Sequence, residues 1–287
     1  MERYVVERRY GLTDQSALDW LRDRAKMTAV SMALSTPIVA GLLAIVRRFP
    51  RGWPFVASAA SPLLLIFLSL IAPVYVAPIF NKFQPLVGPL EERLRALASR
   101  YGVGNATIMR FDMSRQTKKA NAYVAGLLGT HRIALADTLL EGFTNDEIEF
   151  VVAHELGHYL ARDTWLGVGA GSLAMTFMIF AGNGLASRSG SPVTSIAGFA
   201  RLGFFTQVLA ALIGPLLAAG SRAIERRADR FALSATHRPD WGIAAFERLR
   251  ERNMAEEEEP RWAELLIATH PSLRSRVASL RLAAAAQ

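Results

Sequence analysis

Four long stretches of this 287-residue chain contain no charged side chain, and they restrict its fold more than any other feature. The run 27–46 lies between Lys26 and the pair Arg47–Arg48. A helix of that length, at 1.5 Å per residue, reaches about 30 Å, the hydrocarbon thickness of a bilayer. The run 53–80 is uncharged until Lys82 and contains Pro54, Pro62, Pro73 and Pro78, which predict kinks or a re-entrant end rather than one straight rod. The run 164–187 follows Asp163 and stops at Arg188; the run 202–219 follows Arg201, ends before Arg222 and includes Gln207 and Pro215. A soluble protein can bury one such helix. With only 20% charged residues, the chain has too little polar surface to cover four, so four membrane-spanning helices are expected. The first run is not read as a signal peptide, because a charged segment precedes it and no small-residue cleavage site follows before the next span.

Composition narrows the functional classes. With 51% hydrophobic residues the chain is not disordered. Without cysteine it has no disulfide framework, no thiolate-held zinc or iron–sulfur cluster and no thiol nucleophile. The net charge of +8 comes from lysines and arginines scattered beside the apolar runs and mixed with acids. They are not gathered with aromatic residues on one polar face, which disfavours a nucleic-acid partner and points to a lipid bilayer. Four spans put segments 1–26, 81–163 and 220–287 on one side. The basic residues of 1–26 place that side in the cytoplasm, although Arg47, Arg48 and Arg51 oppose this.

Between the second and third runs the pattern is that of a mixed domain. Residues 88–100 read as an amphipathic helix, with Leu90, Leu94 and Leu97 on one stripe. Short runs at 107–111, 120–124 and 131–135, separated by glycine, read as a small sheet. Thr144 is the expected N-cap of a following helix, with Glu147 as its capping-box partner, and that helix is expected to continue beyond Leu160. The acidic run 256–259 reads as a solvated loop or helix end.

That helix carries His154-Glu155-Leu156-Gly157-His158. Histidines four apart project from one helical face and can hold a single zinc ion, while the intervening glutamate can take a proton from a water on the open metal position. A catalytic zinc needs a third protein ligand. Residues 221–234 read as a helix following the fourth run, and Glu225 and Asp229 share a face of it. Glu225 can ligate zinc while Asp229 accepts a hydrogen bond from a ligand histidine; equally, the two can belong to a solvated helix with paired charges. Asp163 competes as a ligand, but on a continuous helix its side chain points away from the histidine face, so Asp163→Ala is expected to leave zinc content unchanged. His270, before Pro271, and Arg276 can stabilise an oxyanion. Asn121 and Tyr123 have edge-strand character, with Asn121 able to bind substrate backbone or simply to shape a turn. His131 and His237 read as surface or core histidines.

Several blocks, in order, resemble the M48 family of membrane-embedded zinc metalloproteases, which includes the Ste24-type CAAX prenyl proteases and, more distantly, the HtpX heat-shock proteases. They are Tyr10-Gly11 with Asp19-Trp20-Leu21 and Asp23, the stretch Ile79 to Leu86, Asp112 to Lys118 with Asn121-Ala122-Tyr123, Arg132 to Leu140, the zinc pentapeptide, Glu225 to Asp229, and His270-Pro271 with Arg276. The resemblance covers nearly the whole chain. It implies a mainly α integral membrane protein, with about four transmembrane helices and a gluzincin-like zinc protease domain containing a small β-sheet. It implies one zinc per chain, held by His154, His158 and Glu225, with Glu155 as general base and Asp229 behind the ligands. It also implies Asn121 and Tyr123 beside the substrate and His270 and Arg276 in transition-state or substrate-carboxylate contacts. The chain is then organised as an N-terminal segment (1–26), two spans (27–80), a first catalytic part (81–163), two further spans (164–219) and a second catalytic part (220–287). The expected activity is that of a zinc metalloendopeptidase of the bacterial inner membrane with its site facing the cytoplasm. It would act on peptide or protein substrates, prenylated or membrane-associated, in C-terminal CAAX-type processing. The alternatives are quality-control proteolysis of membrane proteins and a non-catalytic zinc-binding scaffold.

Overall fold

The computed structural model describes residues 2–126, 131–188, 192–254 and 260–285; the acidic run 256–259 lies outside them. In chain order the elements are α1 (Glu2–Arg9), α2 (Ala17–Arg48), α3 (Trp53–Ile71), a π-helical turn (Ala72–Val76), α4 (Ala77–Phe80), β1 (Phe83–Pro85), α5 (Pro89–Arg100), β2 (Thr107–Phe111), a 3-10 turn (Met113–Arg115), β3 (Ala122–Ala125), β4 (Arg132–Ala136), α6 (Asp137–Gly142), α7 (Asn145–Leu160), α8 (Asp163–Arg188), α9 (Ile196–Thr236), α10 (Pro239–Asn253), α11 (Arg261–Leu266) and α12 (Leu273–Ala285).

Among the described residues four helices are long and apolar enough to cross a membrane: Ala17–Arg48, Trp53–Phe80, Asp163–Arg188 and Ile196–Thr236. The chain is a mainly α integral membrane protein with a small sheet. Pro62 is accommodated within α3, and the deviation falls at the π turn containing Pro73, where a helix that loses a donor widens locally. The segment 221–234 is not a separate helix. It is the C-terminal part of α9, one helix of 41 residues that runs through Gly214, Pro215 and Gly220 without a break.

The chain divides into two compact units. One comprises Asp23–Ala72 and Thr164–Leu217, the greater part of the four spans. Its helices meet through a cluster of Val46, Trp53, Ala57, Ala186, Val193 and Leu202. Gly182 brings α8 against Thr206 of α9, where an added Cβ would lie 3.0 Å from the threonine methyl. Leu63, Leu173, Leu212 and Leu216 stay exposed, as lipid-facing side chains of a span do.

The other unit comprises Met1–Arg22, Pro73–Asp163 and Ala218–Gln287. Its four strands run in the order β1-β2-β4-β3, with β1–β2 and β3–β4 antiparallel and β2–β4 parallel. β3 is therefore a terminal strand. Ile133 and Leu135 of β4, Leu94 and Leu97 of α5, and Phe150 and Leu156 of α7 share one dry core. Thr144 and Glu147 form the reciprocal capping box: the Thr144 hydroxyl accepts from the Glu147 N–H (3.3 Å), and the Glu147 carboxylate accepts from the Thr144 N–H (2.7 Å). α7 thus starts at a defined residue, which sets the direction in which its histidines project.

Candidate metal centre

His154 and His158 lie one turn apart on α7, and their Nε2 atoms are 3.1 Å from each other. Glu225 of α9 completes the triangle, with Oε2 3.4 Å from His154 Nε2 and Oε1 3.5 Å from His158 Nε2. Zinc bound tetrahedrally by imidazole nitrogen and carboxylate oxygen at about 2.0–2.2 Å keeps its ligand atoms about 3.3–3.5 Å apart. The two imidazole–carboxylate separations, one to each Glu225 oxygen, match that spacing, and the 3.1 Å between the imidazole nitrogens falls just short of it. Glu225 Oε2 is buried and has no hydrogen-bond partner. A buried carboxylate oxygen left without a donor is costly unless a cation satisfies it, so the donor set and its spacing fit a single zinc ion. This is also the described group of ligand-type side chains that converges on one point.

Each histidine is held from behind. His154 Nδ1–H donates to Asp229 Oδ1 (3.0 Å), and Arg276 grips the same carboxylate through Nε (2.8 Å) and Nη2 (2.5 Å). His158 Nδ1–H donates to Asp163 Oδ2 (2.9 Å), and Asp163 is in turn paired with Arg227. Two Arg–Asp–His chains therefore fix both rings in the tautomer that presents Nε2 to the metal. The Arg276 guanidinium also lies 4.0 Å over the Phe246 ring, which locks it in place while buried.

Asp163 is where the expectation from sequence fails. α7 ends at Leu160, and Arg162 adopts a left-handed backbone with φ 58°. That single residue reverses the chain and swings Asp163, the first residue of α8, back onto the outer nitrogen of His158. A continuous helix would have carried it past that face. Asp163 is thus no competing ligand but the support of one, and its removal is expected to weaken zinc binding.

Close approach of α7 and α9 is what brings Glu225 within reach. At Gly157 an added Cβ would lie 3.1 Å from Phe231 Cδ1, 3.2 Å from its Cβ and 3.3 Å from the Ala228 Cα. The glycine of the pentapeptide is therefore a contact surface between the two ligand-bearing helices. On the far side of α7, Gly242 lets α10 approach Phe150, where a Cβ would come within 2.4 Å of the ring.

A cleft of about 390 Å³ opens at the triad and is lined by Asn121, Ala122, Glu155, His270 and Asn253, among others. Glu155 is half-buried; burial pushes its carboxyl up while the two imidazoles pull the other way, and the result lies above the usual carboxylate range. His154 is buried, which opposes its charge. Asp229 and Glu225 outweigh that, so its imidazolium is pushed up to about 9. His270 stands exposed at the mouth, with Nε2 3.3 Å from Glu225 Oε1. Asn253 accepts from the Ala120 N–H (2.9 Å) and so anchors the turn before Asn121. Tyr123 does not line the cleft. It alternates to the other side of β3, where its ring packs on Phe111 at 5.9 Å. His131 pairs with Tyr159, and His237 occupies a left-handed turn after α9, so both play structural parts. Arg227 and Asn253 are not marked by any motif, and neither the supporting role of Asp163 nor the packing role of Gly157 follows from spacing. Gly157 alone carried a local signal, a glycine at mid-helix.

Residues 87–284 match the model described as peptidase family M48, and residues 2–82 match that of the CAAX prenyl protease N-terminal region, five membrane helices. The chain is 35% identical over 271 residues to the CAAX prenyl protease 1 homolog of Arabidopsis thaliana, covering 88% of this chain and 61% of that protein. It is 25% identical to the uncharacterized metalloprotease YhfN of Bacillus subtilis, covering 96% and 67%. The crystal structure of S. mikatae Ste24p superposes with a TM-score of 0.85 at 26% identity, covering 96% of this chain and 69% of that one. The chain thus spans about three fifths to two thirds of the length of these relatives.

Proposed function

The chain belongs to peptidase family M48, and on that premise we propose that it is a zinc-dependent membrane metalloendopeptidase in which His154, His158 and Glu225 hold the metal and Glu155 is the general base. The observation that carries this reading is the triad itself: two imidazoles and a carboxylate converging on one point, with a buried Glu225 oxygen that has no hydrogen-bond partner. Bound there, zinc acts as a Lewis acid on a peptide carbonyl and brings the pKa of a water towards about 7.

The chain's own residues do the rest. Asp229 and Asp163 keep both imidazoles aimed at the site, and Arg276 acts through Asp229 as a positioning residue. Glu155, with its raised carboxyl, takes a proton from the attacking water at a carboxylate oxygen and passes it to the leaving amine. The terminal strand β3 offers an edge to an extended peptide, with Asn121 at its start and Tyr123 contributing backbone. His270, at the mouth of the cleft, donates to the carbonyl oxygen as it becomes anionic.

As substrate class we propose membrane-associated peptides, including prenylated C-terminal ones, cut on the cytoplasmic side of a bacterial cell membrane. Support comes from relatives named CAAX prenyl protease 1, from the Bacillus relative and from the arginines of the N-terminal segment. The test compares the parent chain and Glu155→Gln, both with measured zinc content, on a farnesylated CAAX peptide, its unprenylated twin and a misfolded membrane protein. The proposal expects the prenylated peptide to be cut preferentially by the parent, and Glu155→Gln to keep zinc while losing hydrolysis. Normal turnover by the zinc-loaded variant would refute the assignment.

A further inference from the structure

α11 is amphipathic the wrong way round for an aqueous surface. Trp262, Leu265 and Leu266, at helical spacings of three and four, are exposed at 61%, 62% and 51%, and Ile267 continues the patch at 65%. Ala263 and Glu264 are the half-buried residues. A helix packed on a soluble domain puts its apolar stripe inward, and a contiguous exposed group of large apolar side chains marks a contact with something else.

A second observation says what that something is. Arg222 of α9, itself buried, donates through Nη1 to the Ala268 carbonyl (2.7 Å) and through Nη2 to the Leu265 carbonyl (3.1 Å). Arg222 stands three residues after Ala219, the last apolar residue of the run before Gly220 and Ser221 in the same helix, which is about 4.5 Å of helical rise. The end of α11 is therefore fastened to α9 within one turn of the end of that apolar run. This is the depth of the headgroup and acyl boundary, where tryptophan and arginine concentrate, and α11 carries exposed Arg261 and Trp262 side by side.

We infer that α11 is an interfacial element whose Trp262, Leu265, Leu266 and Ile267 lie in the bilayer boundary, held there by the Arg222 clasp. The inference rests on the chain spanning a membrane and not on the peptidase reading. Its consequence for the site is positional. Ala268, which the clasp holds, is two residues before His270, so the loop at the mouth of the cleft is tied to the membrane surface and substrates are met there.

Because the chain has no cysteine, single cysteines report without background. Leu265→Cys and Leu266→Cys, labelled with an environment-sensitive fluorophore, are placed in phosphatidylcholine–phosphatidylglycerol vesicles. Leu212→Cys in the span serves as the lipid-facing reference and Glu251→Cys in α10 as the aqueous one. Lipids with a nitroxide high on the acyl chain are expected to quench positions 265 and 266 at least about half as strongly as position 212, with little quenching by aqueous iodide. Quenching by iodide at the level of position 251 would overturn the inference. So would protection from both quenchers, which would put a second copy or another protein over the patch. Adding Arg222→Ala is expected to lower lipid quenching at 265 and leave 212 unchanged; equal quenching with and without that arginine would remove the clasp from the account.

Discussion

Replacing Gly157 tests whether the contact between α7 and α9 makes the metal centre. Alanine there puts a methyl 3.1–3.3 Å from Phe231 and from the backbone of Ala228, so the helices must part by a few tenths of an ångström. Before metal loading they can do so cheaply, and alanine in place of glycine even favours the helix by about 1 kcal/mol. Once zinc joins the helices through Glu225 and the histidines, ligand distances are fixed to about 0.2 Å and the relaxation is forbidden. The strain, about 1–3 kcal/mol for an overpacked contact, then falls on binding rather than on folding, and corresponds to roughly 5- to 150-fold weaker zinc affinity. Valine, with two further carbons, should lose zinc almost entirely. The assay is competition against a chromophoric chelator, with thermal unfolding of the metal-free protein measured in parallel. Gly184→Ala, whose Cβ meets nothing within 4 Å, is the control. Unchanged zinc affinity in both Gly157 variants would refute the argument that this glycine sets the ligand geometry.

Three other outcomes are expected. Glu155→Gln should retain a full complement of zinc while hydrolysis falls by about 10²- to 10⁴-fold, measured as turnover per bound metal. Asp163→Ala and Asp229→Ala, each stripping the support from one imidazole, should weaken zinc by about 10- to 100-fold; chelator titration in which Asp163→Ala matches the parent would return that residue to the role of bystander. Zinc affinity should rise with pH. His154 holds a proton up to about 9 before loading, so below that value zinc must displace it, and apparent affinity should fall about tenfold per pH unit for this site. Calorimetry in buffers of different ionisation enthalpy should find about one proton released at pH 7.5, and a flat affinity between pH 6 and 9 would contradict this.

What could be read from the amino acids was whatever rests on spacing within one element. The charge-free runs gave the second and third spans to within a residue or so, whereas α2 begins at Ala17 and α9 runs from Ile196 to Thr236, both well beyond the uncharged runs. Thr144 and Glu147 gave the start of α7, and the interval of four gave the pairing of His154 with His158 and of Glu225 with Asp229. Contacts that depend on a turn or on a distant helix were not visible. Asp163 reaches His158 only because Arg162 takes a left-handed backbone, a conformation its side chain does not advertise. Arg276 finds Asp229 from 47 residues away, and nothing local marks it as buried. The strand order likewise depends on long-range pairing, since β2 pairs directly with β4 and leaves β3, which lies between them in sequence, on the outer side of β4. Tyr123 falls outside the cleft because it alternates with the cleft-lining Ala122 along β3, and which of the two faces the cleft is defined only by the fold.

The claim that two imidazoles and the Glu225 carboxylate surround one metal is tested most directly by zinc X-ray absorption on the purified, zinc-loaded chain, together with metal analysis of Glu225→Ala. The account predicts one zinc per chain with two imidazole nitrogens and otherwise oxygen ligands, and loss of most zinc in the variant. A third imidazole from His270, or a Glu225→Ala protein that keeps its full zinc, would contradict it.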